Sequence, residues 1–314
     1  MSVEPNIAYF DHPMFHLNHL TLQTLAMKKL EAELLQLLWN DGTGALLFGH
    51  SRVGKTWALK YLAPQLKTRW NDLVPNYYVS IPPRDQGTIL SVLRNICYSH
   101  QIREVSHDRA DHLSDRIVHF IADRAEESNC DTALLIVDEF QRLRLPQLEV
   151  FAELHDHCLA LGITLVVLFV GHDPECWTLV EAIEQPVSAH IYGRFFTEGI
   201  EFKGLTSQKE VQHCLSEFDR LHYPEDGPSY AEYFTEPGWK FSSLSRDLWR
   251  VYHDEFKVKC HIYSWPMKYF MKSVKILLTD FIPEHGIDAI CDDMLFGCIN
   301  TSHLIPSLTS KMKH

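Results

Sequence analysis

The sequence predicts an α/β fold built on a parallel sheet, with helical segments before and after it. Short apolar runs alternate with helical patterns from about residue 45 to residue 202. Such alternation is typical of a parallel sheet with crossover helices. Beyond it, mostly helical segments are separated by prolines and glycines. We therefore expect a helical N-terminal extension over 1–43, an α/β core over 44–204 and a helical region with a tail over 205–314.

Length and composition describe an ordinary globular chain. The 314 residues are 46% hydrophobic and 22% charged, which suits a protein with a sizeable packed core. No stretch reaches the roughly 18 uninterrupted apolar residues of a membrane helix, and the N-terminus lacks a secretory signal pattern. None of the eight cysteines forms a C-x-x-C pair. We expect no membrane association, and reduced thiols in a bacterial cytoplasm.

The net charge of −12 constrains the partners. It opposes non-specific binding of nucleic acid, which depends on a field of lysines and arginines. A local basic edge that oligomerisation repeats remains compatible with DNA binding.

The elements follow from apolar periodicity and from turn residues. A long amphipathic helix is predicted over 15–40, because leucines recur there at helical spacing, and a glycine-containing turn over 40–44 ends it. A helix begins after Leu205, with Ser207 or Thr206 as its cap and Glu210 near the third position of the turn. Four strands are predicted over 45–48, 76–81, 133–137 and 163–170, a short fifth strand follows residue 195, and helices are predicted over 57–66, 87–100, 108–127 and 147–160.

A phosphate-binding loop follows the first predicted strand. The run from Gly49 to Thr56 matches the pattern G-x-x-x-x-G-K-[ST]. Its glycines let backbone N–H groups surround phosphates. Lys55 is expected to reach the β- and γ-phosphates of ATP, and Thr56 to hold Mg²⁺. The alternative is an ordinary strand-to-helix turn. The expected nucleotide-binding residues of this segment are Gly49, His50, Ser51, Arg52, Val53, Gly54, Lys55, Thr56 and Trp57.

Two acidic residues end the third predicted strand. Asp138 and Glu139 follow a buried apolar run, at the sheet edge where open α/β sheets bind ligands. Asp138 is expected to bind Mg²⁺ together with Thr56, and Glu139 to polarise the water that attacks the γ-phosphate. A simple helix cap is the alternative. The preceding phosphate-binding loop favours the functional interpretation, and the Asp-Glu pair favours hydrolysis over transfer to a small acceptor.

Two further polar residues have a functional and a structural interpretation. His172 ends the fourth predicted strand, where a polar residue touches the γ-phosphate in related ATPases; it is nearly as well explained as a cap of the next helix. Arg194 precedes the last strand and is a candidate finger for the ATP of a neighbouring subunit, with a surface arginine as the alternative. The cluster His155-Asp156-His157 suggests a metal site, but a solvated helix face explains it better.

These motifs resemble those of the AAA+ ATPases, and more narrowly those of the transposition regulators TnsC and TniB, including the ones of CRISPR-associated transposons. The resemblance covers about 45–260, and the motifs occur in the same order. IstB-like helper ATPases and origin-recognition ATPases share most of them. The residues that carry the resemblance are Ser51-Arg52, Leu134 to Arg142, Leu161 to Gly171, Gly193-Arg194-Phe195, Phe202 to Thr206 and Arg246.

The resemblance implies an AAA+ fold with a parallel five-stranded sheet and a small C-terminal helical lid. In that lid, Arg246 stands where the family has a second nucleotide-sensing arginine. The implied cofactors are ATP and Mg²⁺. The implied function is an ATP-dependent switch that forms a ring or filament on duplex DNA, recruits a TnsB-like transposase and responds to a TniQ-like target-selection protein. Hydrolysis then dismantles the assembly. The family usually has threonine at the position of His172.

The resemblance also implies where DNA is contacted. In the family, residues between the second strand and the following helix grip the duplex, and the corresponding stretch is 82–88. Phosphate contacts add up over the subunits of a ring. The implied DNA-binding residues are Arg84, Thr88, Arg94 and Arg103.

Two other functions fit the same motifs. One is a signalling or scaffold NTPase that uses ATP only to control assembly, which the acidic charge favours. The other is a helper ATPase that loads a replication protein. DNA-stimulated hydrolysis separates the scaffold from the DNA-binding functions, and association with a transposase separates the transposition regulator from the helper.

Overall fold

The structure, a computed structural model, describes residues 7–83, 87–103, 105 and 107–305. Their contacts divide them into two units. The α/β unit contains Lys29–Ser51 and Lys55–Phe202. The C-terminal unit contains Arg52–Gly54, the residues from Lys203 onward, and the N-terminal residues up to Lys28.

The α/β unit is built on a five-stranded parallel sheet in the order β2-β3-β4-β1-β5. The register pairs Gly49 with His172, and Asp138 with Val170. The carboxyl ends of β1, β3 and β4 therefore lie side by side. The predicted α/β fold with its five parallel strands is confirmed. The strands are β1 Gly44–Gly49, β2 Asn76–Ser80, β3 Thr132–Asp138, β4 Thr164–His172 and β5 Gly199–Glu201.

Helices flank the sheet and form most of the C-terminal region. Up to residue 202 they are α1 Ile7–Phe10, α2 Leu25–Trp39, α3 Lys55–Leu62, α4 Ile89–Ser99, α5 Ala110–Glu127, α6 Glu149–Ala160, α7 Trp177–Ile183 and α8 Ala189–Phe195. Beyond it they are α9 Gln208–Arg220, α10 Tyr230–Tyr233, α11 Ser245–Tyr252, α12 Met267–Ile276, α13 Ile282–His285 and α14 Asp292–Thr301, with π-helical turns at His253–Val258 and Leu277–Phe281.

The core of the α/β unit forms because its central strands are apolar on both faces. Phe169 of β4 is fully buried and packs against Phe151 and Phe196 at ring-centroid distances of 5.2 and 4.8 Å. Fully burying one such side chain contributes roughly 1.5–3 kcal/mol. This rigid apolar layer fixes the strand ends at which the polar residues emerge.

The C-terminal unit has a separate hydrophobic core. Trp265 and Tyr252 are fully buried and stack at 4.4 Å. Met14 and Leu20 of the N-terminal segment belong to the same cluster, which explains why the first residues group with this unit. The predicted cap is confirmed, because the Ser207 hydroxyl accepts a hydrogen bond from the Glu210 backbone in a reciprocal capping box.

The predicted helix over 15–40 is wrong in its first part. The α-helix begins only at Leu25, because the Thr24 hydroxyl accepts a hydrogen bond from the Met27 N–H at 3.1 Å and caps the helix there. Leu20 and Leu22 precede the helix and are buried in the C-terminal unit. Both leucines were counted with the helical pattern because they are apolar, but they are buried outside the α-helix. Within the described ranges, no helix combines the length and the apolar character needed to cross a membrane.

Candidate active site

The loop between β1 and α3 follows a tight backbone path. Gly54 has a φ of +110° and Arg52 a φ of +67°, and the first of these is a conformation that favours glycine. A Cβ atom on Gly49 would stand 2.1 Å from the Phe202 carbonyl oxygen. Both glycines of the predicted loop are therefore required by its geometry.

The Lys55 ammonium is buried inside this loop. Its Nζ donates hydrogen bonds to the carbonyl oxygens of Gly49, at 2.6 Å, and His50, at 3.0 Å. Burial lowers the pKa of Lys55 to about 8, although the carboxylates of Asp138 and Glu139 act in the opposite direction. The group stays mostly protonated at pH 7. The loop thus holds a positive charge at its centre, as phosphate binding requires.

Two hydroxyl side chains donate to the Asp138 carboxylate. Its Oδ2 accepts a hydrogen bond from the Thr56 hydroxyl at 2.7 Å and another from the Tyr78 hydroxyl. Burial, and then this hydrogen bond, raise the pKa of Tyr78. The carboxylate is 3% exposed. A hydroxyl and a carboxylate oxygen at this distance fit the oxygen ligands that Mg²⁺ prefers.

Glu139 directly follows β3, at the edge of the sheet where Asp138 lies. Its backbone is left-handed, with a φ of +61°, and its N–H donates to Asp138 Oδ1 at 2.9 Å. A non-glycine residue in this conformation is uncommon and often marks a functional turn. Here the turn directs the two consecutive acidic side chains to different partners.

The Glu139 carboxylate lies in a polar cluster. Its Oε1 is 3.2 Å from His172 Nε2, and its Oε2 is 3.0 Å from the Arg142 guanidinium. The Gln141 amide also donates to Oε2, at 2.9 Å. Arg142 is itself held by the Ile81 carbonyl oxygen at 2.7 Å. These contacts position the carboxylate that the sequence predicts as the base.

His172 contributes both its side chain and its backbone. Burial lowers the pKa of the imidazole, and the nearby Lys55 ammonium lowers it further, while Glu139 opposes the shift. The ring is therefore neutral at pH 7. Its carbonyl oxygen accepts a hydrogen bond from Cys176 N–H at 2.7 Å. The imidazole lies beside Glu139, whereas the next helix, α7, has Cys176 as its N-cap and no side-chain cap hydrogen bond.

Arg194 lies at the other end of β1. Its carbonyl oxygen accepts a hydrogen bond from Thr43, which precedes β1, whereas the phosphate-binding loop follows β1. The guanidinium donates to the Ala152 carbonyl oxygen at 3.2 Å and pairs with Asp156 at 2.8 Å. The structure therefore does not bring Arg194 into the phosphate-binding loop of its own chain.

The other predicted nucleotide-binding residues have diverse surroundings. His50 is exposed, and its imidazole is 3.2 Å from the Asp173 carbonyl oxygen. Trp57 is 41% exposed on α3. Arg52, which groups with the C-terminal unit, donates to the Tyr269 hydroxyl. Also in the loop, Val53 is buried and Ser51 is half-buried. Arg246 lies elsewhere, in the first turn of α11, and is exposed.

The described residues among the predicted DNA contacts lie at the start of α4, on it and after it. Thr88 caps α4, and its hydroxyl accepts a hydrogen bond from Ser91 N–H at 3.2 Å. Arg94 is exposed on α4, and Arg103 is exposed after that helix. Arg84 lies outside the described residues.

Three residues of the cluster were missed from the sequence. Tyr78 binds Asp138, Gln141 binds Glu139 and also accepts a hydrogen bond from the His172 N–H at 3.3 Å, and the Asp173 carboxylate accepts one from the Trp177 indole at 2.9 Å. Gln141 lies two residues after Glu139 and Asp173 directly follows His172, and this proximity was the available signal. Tyr78 gave none, because its role depends on β2 pairing with β3.

The histidine cluster on α6 is divided between the core and the surface. His155 is buried, and its Nδ1 is 2.7 Å from the Leu165 carbonyl oxygen. Asp156 pairs with Arg194. Among the described residues, no group of three or more potential ligands is placed to hold a metal ion. The expectation of a solvated face holds for Asp156 and His157, which are exposed, but is wrong for His155.

Comparison with known proteins agrees with this geometry. A family model described as an AAA domain matches residues 40–180, which contain the phosphate-binding loop, Asp138, Glu139 and His172. With the strand order and the site, this match defines an AAA-type P-loop ATPase domain. The chain is thus an ATP-hydrolysing P-loop enzyme.

Two solved structures share the fold. The ORC2 protein of Aeropyrum pernix, in ADPNP–ADP complexes, matches with a TM-score of 0.56 and 15% identity, over 95% of this chain and 72% of that one. Drosophila ORC bound to DNA matches with a TM-score of 0.55 and 14% identity, over 88% and 69%. At these identities the likeness concerns the fold alone. No curated protein matches the chain at a significant level.

Proposed function

We propose that this protein is an ATP-dependent regulator of DNA transposition. It binds ATP with Mg²⁺, oligomerises on target duplex DNA and brings a transposase to a target-selection protein. The observation that carries the proposal is the Glu139 carboxylate, held by His172 and Arg142 beside the phosphate-binding loop. This arrangement supports hydrolysis. The order of the motifs, which resembles that of TnsC and TniB, supports the transposition role.

The loop residues bind the nucleotide. Lys55 exchanges its two carbonyl contacts for phosphate oxygens, and the backbone N–H groups of the loop add their dipoles. Thr56 and Asp138 supply the oxygen ligands for Mg²⁺, which neutralises phosphate charge when bound. The Tyr78 hydroxyl donates to the same Asp138 oxygen as Thr56 and so competes with Mg²⁺ for it.

Glu139 acts as the base that orients and deprotonates water. Such general bases contribute about 10²- to 10⁴-fold to a rate. His172 and Arg142 hold the carboxylate in place, and the neutral imidazole adds no positive charge beside it at pH 7. Gln141 links Glu139 to the end of β4. His172 is therefore the proposed sensor of the γ-phosphate.

Oligomerisation completes the site. Arg194 lies away from the loop of its own chain, so its proposed role is in the ATP site of a neighbouring subunit. Its pairing with Asp156 is partly exposed, and such pairs contribute roughly 0–1 kcal/mol. A neighbouring phosphate can therefore replace it. Arg246 is the proposed second sensor, from the C-terminal helices.

DNA binding is proposed from the shared fold and from a small set of polar residues. The fold is shared with Drosophila ORC, which was solved bound to DNA. Thr88, Arg94 and Arg103 remain the proposed contacts, together with Arg84. Their small number in one subunit requires a ring or filament that repeats them.

A second candidate is an AAA+ helper or scaffold NTPase with ATP-controlled assembly. The net charge of −12 favours a scaffold without a direct DNA role, because it opposes phosphate binding. The fold shared with the ORC2 protein favours a replication helper.

Imaging with duplex DNA and a non-hydrolysable ATP analogue tests the proposal. We expect rings or filaments threaded by DNA, DNA-stimulated ATP hydrolysis and co-purification with a transposase encoded nearby. Lys55→Ala is the control, because it removes the central phosphate-binding charge and should prevent nucleotide binding and assembly. Dispersed monomers with DNA-independent hydrolysis would favour the scaffold, and DNA-dependent assembly without transposase binding would favour the helper.

A further inference from the structure

A groove lined by basic side chains lies in the C-terminal unit. Its volume is about 500 Å³. Lys272 and Lys275 of α12 form one wall, and His16 and His303 contribute from the N-terminal segment and from the end of α14. None of the described residues that line it is an aspartate or glutamate, although the chain as a whole is acidic. The groove is therefore a local concentration of basic groups.

The lysines of this wall continue along one helix face. Lys268, Lys272 and Lys275 are spaced by four and three residues on α12, so they lie on the same side of the helix. The ten residues of α12 contain no acid. The opposite side is fixed in the core by the fully buried Phe270 and Val274. The three lysines form a row about 10 Å long, at 1.5 Å per helical residue.

Two of these lysines are available to a ligand. Lys268 is exposed and Lys272 half-buried, and neither forms an ion pair with a described acidic residue. Lys275 has a structural contact as well: its Nζ donates to the Phe15 carbonyl oxygen at 3.1 Å and lies over the Phe15 ring. It thereby holds the N-terminal segment against the groove.

We propose that the lysine row of α12 (Lys268, Lys272 and Lys275) and the adjacent groove bind the phosphate backbone of duplex DNA. This inference rests on the proposed function and adds a second contact surface to it. The described groove lining and α12 contain no acidic residue, although the chain as a whole has a net charge of −12. Lysine binds phosphate as a compact, flexible point charge, and backbone contacts position a protein without reading sequence.

The linear arrangement favours a nucleic-acid backbone over an acidic peptide. DNA carries one charge per about 1.7 Å of helix axis, so a straight row of cations meets phosphates along its whole length. A peptide carboxylate would gain most from donors that converge on one point. The three lysines of α12 are instead distributed along the helix.

Fluorescence anisotropy with a labelled duplex of about 30 bp tests this proposal. The full-length protein is titrated with a non-hydrolysable ATP analogue present, at salt concentrations from about 50 to 200 mM. Lys268→Gln/Lys272→Gln removes two charges from the row. Lys209→Gln/Lys240→Gln removes two exposed charges of the same unit outside the groove and is the matched control. Lys268→Arg/Lys272→Arg keeps the charge.

Each lost phosphate contact reduces the salt slope by about 0.9. The wild-type affinity should therefore fall about tenfold more than that of the Gln variant between the two salt concentrations. The control and the Arg variant should resemble the wild type. If the wild type binds DNA and the Gln variant matches the control, the inference fails while the proposed function stands. Absence of duplex binding by the wild type overturns both. Preferential, lysine-dependent binding of polyglutamate would overturn the DNA assignment in favour of an acidic protein partner.

Discussion

The imidazole Nε2 of His172 lies 3.2 Å from Glu139 Oε1, at the carboxyl ends of two neighbouring strands. The pKa of His172 is lowered by burial and by Lys55, so the ring is neutral at pH 7. Protonation would convert this contact into an ion pair. The carboxylate oxygen would then be less able to accept a proton from water.

We expect ATP hydrolysis to lose rate as pH falls below the ordinary histidine range near 6.5. Because the pKa of His172 is lowered, the loss begins below that value. His172→Thr introduces the residue that is usual at this position in the family that the sequence resembles. In this variant, the loss of hydrolysis rate should begin at a lower pH. Steady-state rates measured from pH 5 to 8 check this, with exposed His190→Thr as control. If His172→Thr loses rate at the same pH as the wild type, protonation of His172 does not limit Glu139.

Glu139→Gln should bind ATP but hydrolyse it at least about 100-fold more slowly, because an amide cannot accept the proton of water. The assembled state should accumulate, since assembly needs ATP binding without hydrolysis. Single-turnover hydrolysis and nucleotide affinity measure the two effects separately. Glu126→Gln, an exposed change on α5, is the control. A normal hydrolysis rate in Glu139→Gln would exclude Glu139 as the base.

The sheet and the phosphate-binding loop were predictable because both are local in sequence. Apolar runs mark the buried strands, and the glycine spacing marks the loop. Tyr78 was not predictable, because the sequence does not specify that β2 pairs with β3. The start of α2 was missed for another reason. Leu20 and Leu22 have helical spacing but fill a separate core, and the Thr24 cap decides where the helix begins.

Tyr78→Phe tests the residue that only the structure identifies. The Tyr78 hydroxyl donates to the same Asp138 oxygen as Thr56, so it competes with Mg²⁺ for that oxygen. A net hydrogen bond of about 1 kcal/mol corresponds to roughly a fivefold change. The variant should therefore reach half-maximal ATPase activity at roughly fivefold lower Mg²⁺. Tyr98→Phe, at an 80% exposed position, is the control. If the variant instead needs a higher Mg²⁺ concentration for half-maximal activity, competition is contradicted and Tyr78 mainly orients Asp138.

Arg194→Ala should bind ATP as a monomer yet fail to hydrolyse it in the assembled state. Among the residues that the structure describes, the guanidinium pairs with Asp156 and donates to the Ala152 carbonyl oxygen, so its loss leaves the local phosphate-binding loop intact. Mixing Arg194→Ala with Glu139→Gln subunits should restore part of the activity, because some interfaces then contain both intact groups. Arg124→Ala, which breaks an exposed pair with Glu127, is the control. Absence of rescue at every mixing ratio would count against action in trans.

Acid sensitivity of the fold should depend on His12, which is fully buried among aromatic rings of the C-terminal unit. Its Nδ1 accepts a hydrogen bond from Met14 N–H, and its Nε2 has no hydrogen-bond partner among the described residues. Burial lowers the pKa of His12 to about 4. The unfolded chain, with a pKa near 6.5, binds a proton that the folded chain does not.

Falling pH therefore favours the unfolded state, and the stability contribution of neutral His12 is lost progressively as pH drops from about 6.5 to about 4. A difference of this size is on the order of 3 kcal/mol in the free energy of unfolding. His12→Asn can retain a cap acceptor for the Met14 N–H and should flatten this pH dependence, although it loses aromatic packing at pH 7. Urea unfolding at several pH values measures both effects. His157→Asn, at an exposed position, is the control for removing a histidine. If the free energy of unfolding depends on pH equally in His12→Asn and the wild type, His12 is not the source of the acid sensitivity.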